Sequence, residues 1–169
     1  MDRFKRFGRA TFSSLRIRNY RLYFIGQAIS QCGSWMQTVA LGWLVLELTH
    51  SGTQLGIVVA LQFVPLLVLG PWGGLIADRF NKRAILYWTQ SAFGVFALAL
   101  SALVFSGAAQ MWELYALALG LGIIRVFDNP VRQTFGSEMV GSTDVKNAIS
   151  LNSTANNLAR AVGPSIGGA

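Results

Sequence analysis

The chain has 169 residues, of which 53% are hydrophobic and only 12% charged, where soluble domains carry about a quarter. Its net charge of +7 gathers in a few places and leaves long uncharged windows, which indicates an integral membrane protein rather than a nucleic-acid binder. The single cysteine, Cys32, excludes a disulfide or cysteine cluster within the chain.

Residues 1–20 are basic and amphipathic: Arg3, Lys5, Arg6, Arg9, Arg16 and Arg18 alternate with Phe4, Phe7, Phe12, Leu15 and Ile17. A solvated tail is one reading. A segment lying on the anionic inner leaflet fits the interleaved aromatic residues better. Tyr20 and Tyr23 then fit an interfacial anchor.

Helix 1 is expected over about 21–48, long enough for a membrane core of roughly 30 Å. It is too long for a signal-peptide core and is followed by no small-residue cleavage site, so it should persist. Gln27, Gln31, Ser34 and Gln37 or Thr38 recur at helical spacing and form one polar stripe. Facing lipid, those groups would be expensive, so they should line the protein interior or a watery cavity. Gly26, Ser30 and Gly33 make a small-residue face suited to helix packing. Glu47 falls at the outer end.

Helix 2, about 54–77, has Gln62 as its only long polar side chain. Pro65 and Pro71 should bend it, and Gly70, Gly73 and Gly74 allow a neighbour close. A compact charged turn follows, and helix 3 spans about 83–105, apolar apart from Thr89, Gln90 and Ser91. Helix 4, about 111–138, is clean to Ile124 and then meets Arg125, Asp128 and Arg132. Arg125 and Asp128 are three apart and can pair on one face. Ionisable groups at membrane depth are functional candidates. A gating ion-pair network and a direct substrate or proton role both remain open. Helix 5, about 145–169, is the most polar, with Asn152, Ser153, Asn156, Asn157 and Arg160.

Basic residues precede helix 1 and crowd the turn at Arg79, Lys82 and Arg83, whereas His50–Gly52 and Ser106–Met111 contain none. Lysine and arginine bias therefore places the N-terminus and this turn in the cytoplasm. No phosphate loop, zinc spacing or nucleophile elbow is present, and the only histidine, His50, falls in an outer loop. The sequence anchors no enzyme and calls for no cofactor or metal.

Two motifs carry a resemblance. Gly74, Asp78, Arg79, Lys82 and Arg83 match the loop between helices 2 and 3 of the major facilitator superfamily. Asn81 stands where that family usually has glycine, a change that asparagine's tolerance of left-handed angles would accommodate. Gly163, Pro164, Gly167 and Gly168 resemble the helix 5 motif of the family's exporter branches, although Ser150 and Ala159 replace upstream glycines. Arg125 sits where the family often has a helix 4 arginine, without the usual glycine-containing surroundings. Together with the Thr49–Gly56 entry to helix 2, these features resemble the enterobactin-exporter-like, drug-efflux branch, also described as transmembrane secretion effectors.

The resemblance implies an all-α membrane protein: the first five helices of a twelve-helix bundle whose halves have six helices each. Helix 5 is still running at Ala169, so we expect a longer protein whose missing C-terminal half completes the transporter. The implied function is proton-coupled export of small amphipathic or anionic organic molecules, drugs or siderophore-like compounds, by alternating access in the plasma (inner) membrane. Uptake by the same fold and a non-transporting scaffold are the alternatives. Gln27, Gln31, Ser34, Gln37, Asn157 and Arg160 would line the cavity. Asp78 would accept hydrogen bonds from a helix end in the other half. Arg79, Lys82 and Arg83 would close an inner gate against acids such as Asp128 or Glu138. Substrate, protons, the lipid bilayer and the missing half are the expected partners, and nucleic acid is not.

Overall fold

A computed structural model describes residues 17–167 of the chain, so the tail reading for residues 1–16 and the final Gly168 of the helix 5 motif lie outside the described residues. Five helices follow one another: α1 Arg18–Thr49, α2 Gly52–Arg79, α3 Lys82–Ser106, α4 Met111–Glu138 and α5 Gly141–Gly167. Most boundaries fall within three residues of expectation. At α1 the first turn is already closed by Arg21 N–H donating to the Ile17 carbonyl at 2.9 Å. At the other end, α5 opens at Gly141, so the Ser142-Thr143-Asp144 run, residue types suited to a helix start, is taken into its first turn.

The connections are short and each has a local cause. His50, at φ 51°, turns the chain between α1 and α2. Gly107, at φ 63°, closes α3 with its N–H on the Val104 carbonyl, an end that a left-handed glycine supplies without strain. Asn81 corrects an expectation. Its φ is −63°, outside the left-handed region, and its side chain accepts from Arg83 N–H at 3.0 Å. It serves as the N-cap of α3 rather than as a stand-in for glycine's backbone freedom.

Among the described residues, three helices contain stretches long and apolar enough to cross a membrane: Gly52–Ile76, Lys82–Ser106 and Met111–Gly136. The described α1 and α5 fall short because of the Gln, Asn and Ser residues they carry. Large apolar side chains stand out from the surface, Phe105 at 90% and Trp88 at 78% exposure. In water such a surface would be a liability; against lipid it is the expected exterior.

The chain divides into two compact units, one of residues 36–131 and one built from the described residues 17–35 and 132–167. In the first, Leu114, Ala118 and Leu121 present one face of α4 to Leu41, Leu44 and Val45 of α1, Val58 of α2, and Phe93 and Leu100 of α3. Half of the α4 apolar window is buried, against 17% for α2 and α3, so α4 is the most enclosed of these three helices. Glycines let it come close. A Cβ on Gly122 would lie 2.6 Å from the Gln62 carbonyl oxygen and 2.9 Å from Pro65 Cγ, and one on Gly73 would lie 2.5 Å from the Val126 carbonyl oxygen. Gly70 and Gly74 face open space, so only one of the three α2 glycines expected at a helix contact serves that purpose within this chain. α2 itself continues through both Pro65 and Pro71.

The second unit is held by Tyr20, Val140, Ala148 and Leu151, with Phe24 and Met139 packed against them. Tyr20 and Tyr23 were expected as interfacial anchors. Instead Tyr20 is 2% exposed and its hydroxyl donates to the Ala148 carbonyl at 3.3 Å, while that of Tyr23 donates to the Arg132 carbonyl at 3.2 Å. Both rings bind α1 to other helices of this unit.

Candidate gating network and binding cavity

The polar residues of the 36–131 unit converge on α4. Arg125 donates from Nη1 to Gln62 Oε1 at 2.9 Å and from Nη2 to Thr38 Oγ1 at 2.8 Å, so one guanidinium joins α4 to α2 and α1. Its planar fork suits two acceptors on different helices in a way that an ammonium would not. One turn further, Asp128 is 1% exposed. It accepts from Thr89 Oγ1 at 2.8 Å and Gln90 Nε2 at 3.2 Å, both on α3. The Thr89 hydroxyl also lies 3.2 Å from the Leu86 carbonyl of its own helix, and the shorter contact is to the carboxylate. Near the start of α4, the Tyr115 hydroxyl donates to Gln54 of α2.

Thus Arg125 reaches Gln62 of α2 and Thr38 of α1, and Asp128, one turn on, reaches Thr89 and Gln90 of α3. Burying a charge costs several kcal/mol, and hydrogen bonds such as these offset part of that cost. In the sequence Thr89 and Gln90 are only polar residues in an otherwise apolar helix. Their significance comes from the packing of α3 on α4, across 39 and 38 residues of sequence.

The charged turn is solvent-facing. Asp78, Arg79, Asn81 and Arg83 are exposed, and Gly74 and Lys82 are half-buried. Glu138, the other acid expected at the gate, is exposed at the end of α4.

The second unit contains a cavity of about 410 Å³. Tyr20, Tyr23, Phe24 and Gln27 line it from α1, Arg132 and Gly136 from α4, and Asn152 and Asn156 from α5. Tyr23 packs edge-on against Phe135 with ring centroids 5.3 Å apart. Beyond Asn156, Trp35 Nε1 donates to its Oδ1 at 3.5 Å, and the Arg160 guanidinium sits 5.3 Å from the centre of the Trp35 ring. That distance is within the range of a cation–π contact.

The six residues expected to share one lining therefore have different surroundings. Gln27 lines this cavity, and Arg160 caps Trp35 at an exposed position. Asn157 is exposed, and Gln31 is half-buried. Ser34 donates to its own helix at Ser30. Gln37 is buried in the other unit. Along the helix 5 motif, Gly163 is buried and the chain remains helical to Gly167. Arg132, Tyr23 and Trp35 are members of the cavity region that the polar-stripe argument did not select, because the stripe was drawn from the amides and hydroxyls of helix 1, where the two aromatic residues were passed over, and Arg132 is on another helix.

Comparison with known proteins decides the family. Residues 9–169 match the family model described as transmembrane secretion effector. The chain belongs to this branch of the major facilitator superfamily. Its relatives include the staphyloferrin A transporter of Staphylococcus aureus, 30% identical over 149 residues, a match covering 88% of this chain and 38% of that protein. Another is the uncharacterized MFS-type transporter YfiS of Bacillus subtilis, 26% identical over 143 residues and covering 84% of this chain and 33% of that one. This secretion-effector chain thus spans about a third of the length of the curated relatives it matches. No solved structure matches it significantly. Family membership and the apolar helices make it part of a multi-pass membrane protein.

Proposed function

We propose that this chain forms the first part of a secondary transporter that exports small amphipathic or anionic organic molecules across the plasma membrane, driven by inward proton flow. The observation that carries the reading is the pair of charged side chains, Arg125 and Asp128, carried by α4, a helix long and apolar enough to span a membrane, with hydrogen-bond partners on three neighbouring helices. A purely structural bundle has little need of charges there, whereas a transporter uses them to respond to protons or substrate. The relative named as a staphyloferrin A transporter supports an organic substrate. The basic residues of the Asp78 turn support a cytoplasmic N-terminus.

On this reading two bundles rock around a central site. The exposed turn around Asp78 closes the inner side, with Asp78 accepting from a helix end of the other half and Arg79, Lys82 and Arg83 pairing with acids. The exposed polar face of α5, with Asn157 and Arg160, turns towards the central path, and Gly163, Pro164, Gly167 and Gly168 form its flexible end.

The test uses the full-length protein in inverted membrane vesicles, with carboxyfluorescein as an amphipathic anion. We expect accumulation that needs no nucleotide, collapses with a protonophore, and falls at least about tenfold in Asp78→Asn. Accumulation that survives the protonophore would overturn the coupling. Full transport by Asp78→Asn would remove the gate. Equal accumulation with and without the protein, for this anion and for cationic and neutral amphiphiles alike, would overturn transport itself.

A further inference from the structure

The unit of residues 17–35 and 132–167 holds a charge that its neighbours do not answer. Arg160 is exposed on α5, and among the described residues no acid pairs with it. Its contact is instead with Trp35 of α1, whose ring centre lies 5.3 Å from the guanidinium carbon. Trp35 stands near the middle of α1, which runs from Arg18 to Thr49, so this is no helix end at which a long side chain reaches bulk water. The ring attracts the charge but has no oxygen to accept from the guanidinium, whose N–H donors stay unspent. Trp35 Nε1 also makes a long contact, 3.5 Å, to Asn156 Oδ1. That leaves the Asn156 amide with its NH2 donors to offer. Ser153, Asn156, Asn157 and Arg160 recur at helical spacing and are all exposed, so the guanidinium ends a polar strip two turns long.

From these features we infer that Arg160 and Asn156 form an oxyanion site, positioned by Trp35, that selects cargo bearing a carboxylate. The inference rests on the export reading above and deepens it by naming the group of the cargo that is recognised. A cation half-way along a membrane helix is costly without a counter-charge. Anionic cargo supplies that charge as it arrives and removes it as it leaves, whereas a resident acid would have to be displaced at each passage. The guanidinium fork can hold both oxygens of a carboxylate in parallel, and Asn156 adds a neutral donor beside it. A neutral molecule leaves the fork unmet, so the site discriminates by charge as well as binding. Trp35 touches no cargo in this scheme. Its ring restricts a long, rotamer-rich side chain, and that lowers the ordering cost of gripping the carboxylate.

Binding is read by equilibrium dialysis on the purified, non-energised full-length protein, with 2-naphthoate and its neutral counterpart 2-naphthamide as probes. We expect the carboxylate to bind about tenfold more tightly, a factor typical of one charge-assisted hydrogen-bonded pair. Arg160→Gln should bring the two probes level. Arg160→Lys keeps the charge but loses the fork, and should leave a preference of about threefold. That variant keeps the proposal testable if Arg160→Gln fails to fold. Trp35→Leu should lower the preference to about the same extent, and Trp35→Phe should restore most of it, whereas a merely structural ring would alter both probes alike. A wild type without the preference, including one that binds neither probe, overturns the site; that is also the result expected if an acid elsewhere in the full-length protein holds Arg160. A preference left unchanged by Arg160→Gln, Arg160→Lys or Trp35→Leu overturns it equally. Because dialysis needs no transport, a missing preference with intact vesicle accumulation sinks the oxyanion site alone. A clear preference without accumulation sinks the export reading alone.

Discussion

At Asp128 the chemistry of one side chain sets the demands on its surroundings. A carboxylate with 1% exposure in a membrane-crossing helix relies on donors, and two of them are Thr89 and Gln90 on α3. Replacing Thr89 with valine keeps the shape and removes a donor. We predict a loss of about 1–3 kcal/mol, read as a lower melting temperature of the full-length protein in detergent. An unchanged melting temperature would mean that the Thr89 hydroxyl is not supporting the carboxylate. Arg125 poses the complementary case. Lysine keeps its charge but has no fork with which to reach both Gln62 and Thr38, so Arg125→Lys should lose about 1.5–3 kcal/mol. In that variant, adding Gln62→Ala should cost less than it does in the wild type, and additive losses would disprove the shared bond. Both charges could be picked out from sequence because ionisable groups stand out in an apolar run. Their partners could not: Thr89, Gln90, Gln62 and Thr38 are ordinary polar residues until packing brings them opposite a charge.

For the helices, composition sets length and type, while contact geometry decides which small residue matters. Gly70, Gly73 and Gly74 look equivalent along α2, yet only Gly73 meets α4, and Gly122 answers it from α4. We predict that Gly73→Ala and Gly122→Ala each cost about 1–3 kcal/mol by overpacking, whereas Gly70→Ala is neutral or slightly stabilising. Equal effects at all three positions, measured by thermal unfolding, would contradict the close approach of α2 and α4. The start of α3 gives a second test. Asn81 acts through its side chain, so Asn81→Ala should destabilise by about 1 kcal/mol and Asn81→Gly by only a few tenths. If glycine proved worse than alanine, the cap would not be the residue's contribution. The five helices were legible from apolar run lengths and their breaks. The role of Asn81 was not, because family pattern and local geometry point to different uses of the same position. Tyr20 and Tyr23 mislead in the same way: tyrosines at a helix start match a membrane-interface pattern equally well when they are packing inward.

For the molecule as a whole, orientation is the property on which the proposed gate depends. In full-length protein with its native cysteines, Cys32 among them, replaced by serine, a cysteine at position 81 is exposed enough to label. We predict that an impermeant maleimide modifies it in inverted vesicles and leaves it untouched in intact cells. Labelling from outside the cell would reverse the direction assigned to the basic turn. The family itself was legible because its two motifs fall in order along the chain. The cavity was not, since its walls come from residues more than a hundred positions apart, as the bond from Tyr20 to Ala148 illustrates.

One mechanical result follows from the brevity of the link between α2 and α3. Only Phe80 and Asn81 separate the two helices, and both are fastened: Phe80 N–H to the Ile76 carbonyl, Asn81 through its cap. Two residues stretch to about 7 Å at most, so there is almost no slack to let out. One helix cannot slip a full turn past the other without tearing the cap open. Any stroke that carries α2 must drag α3 along as a single strut, delivering the movement to whatever rests on Thr89 and Gln90.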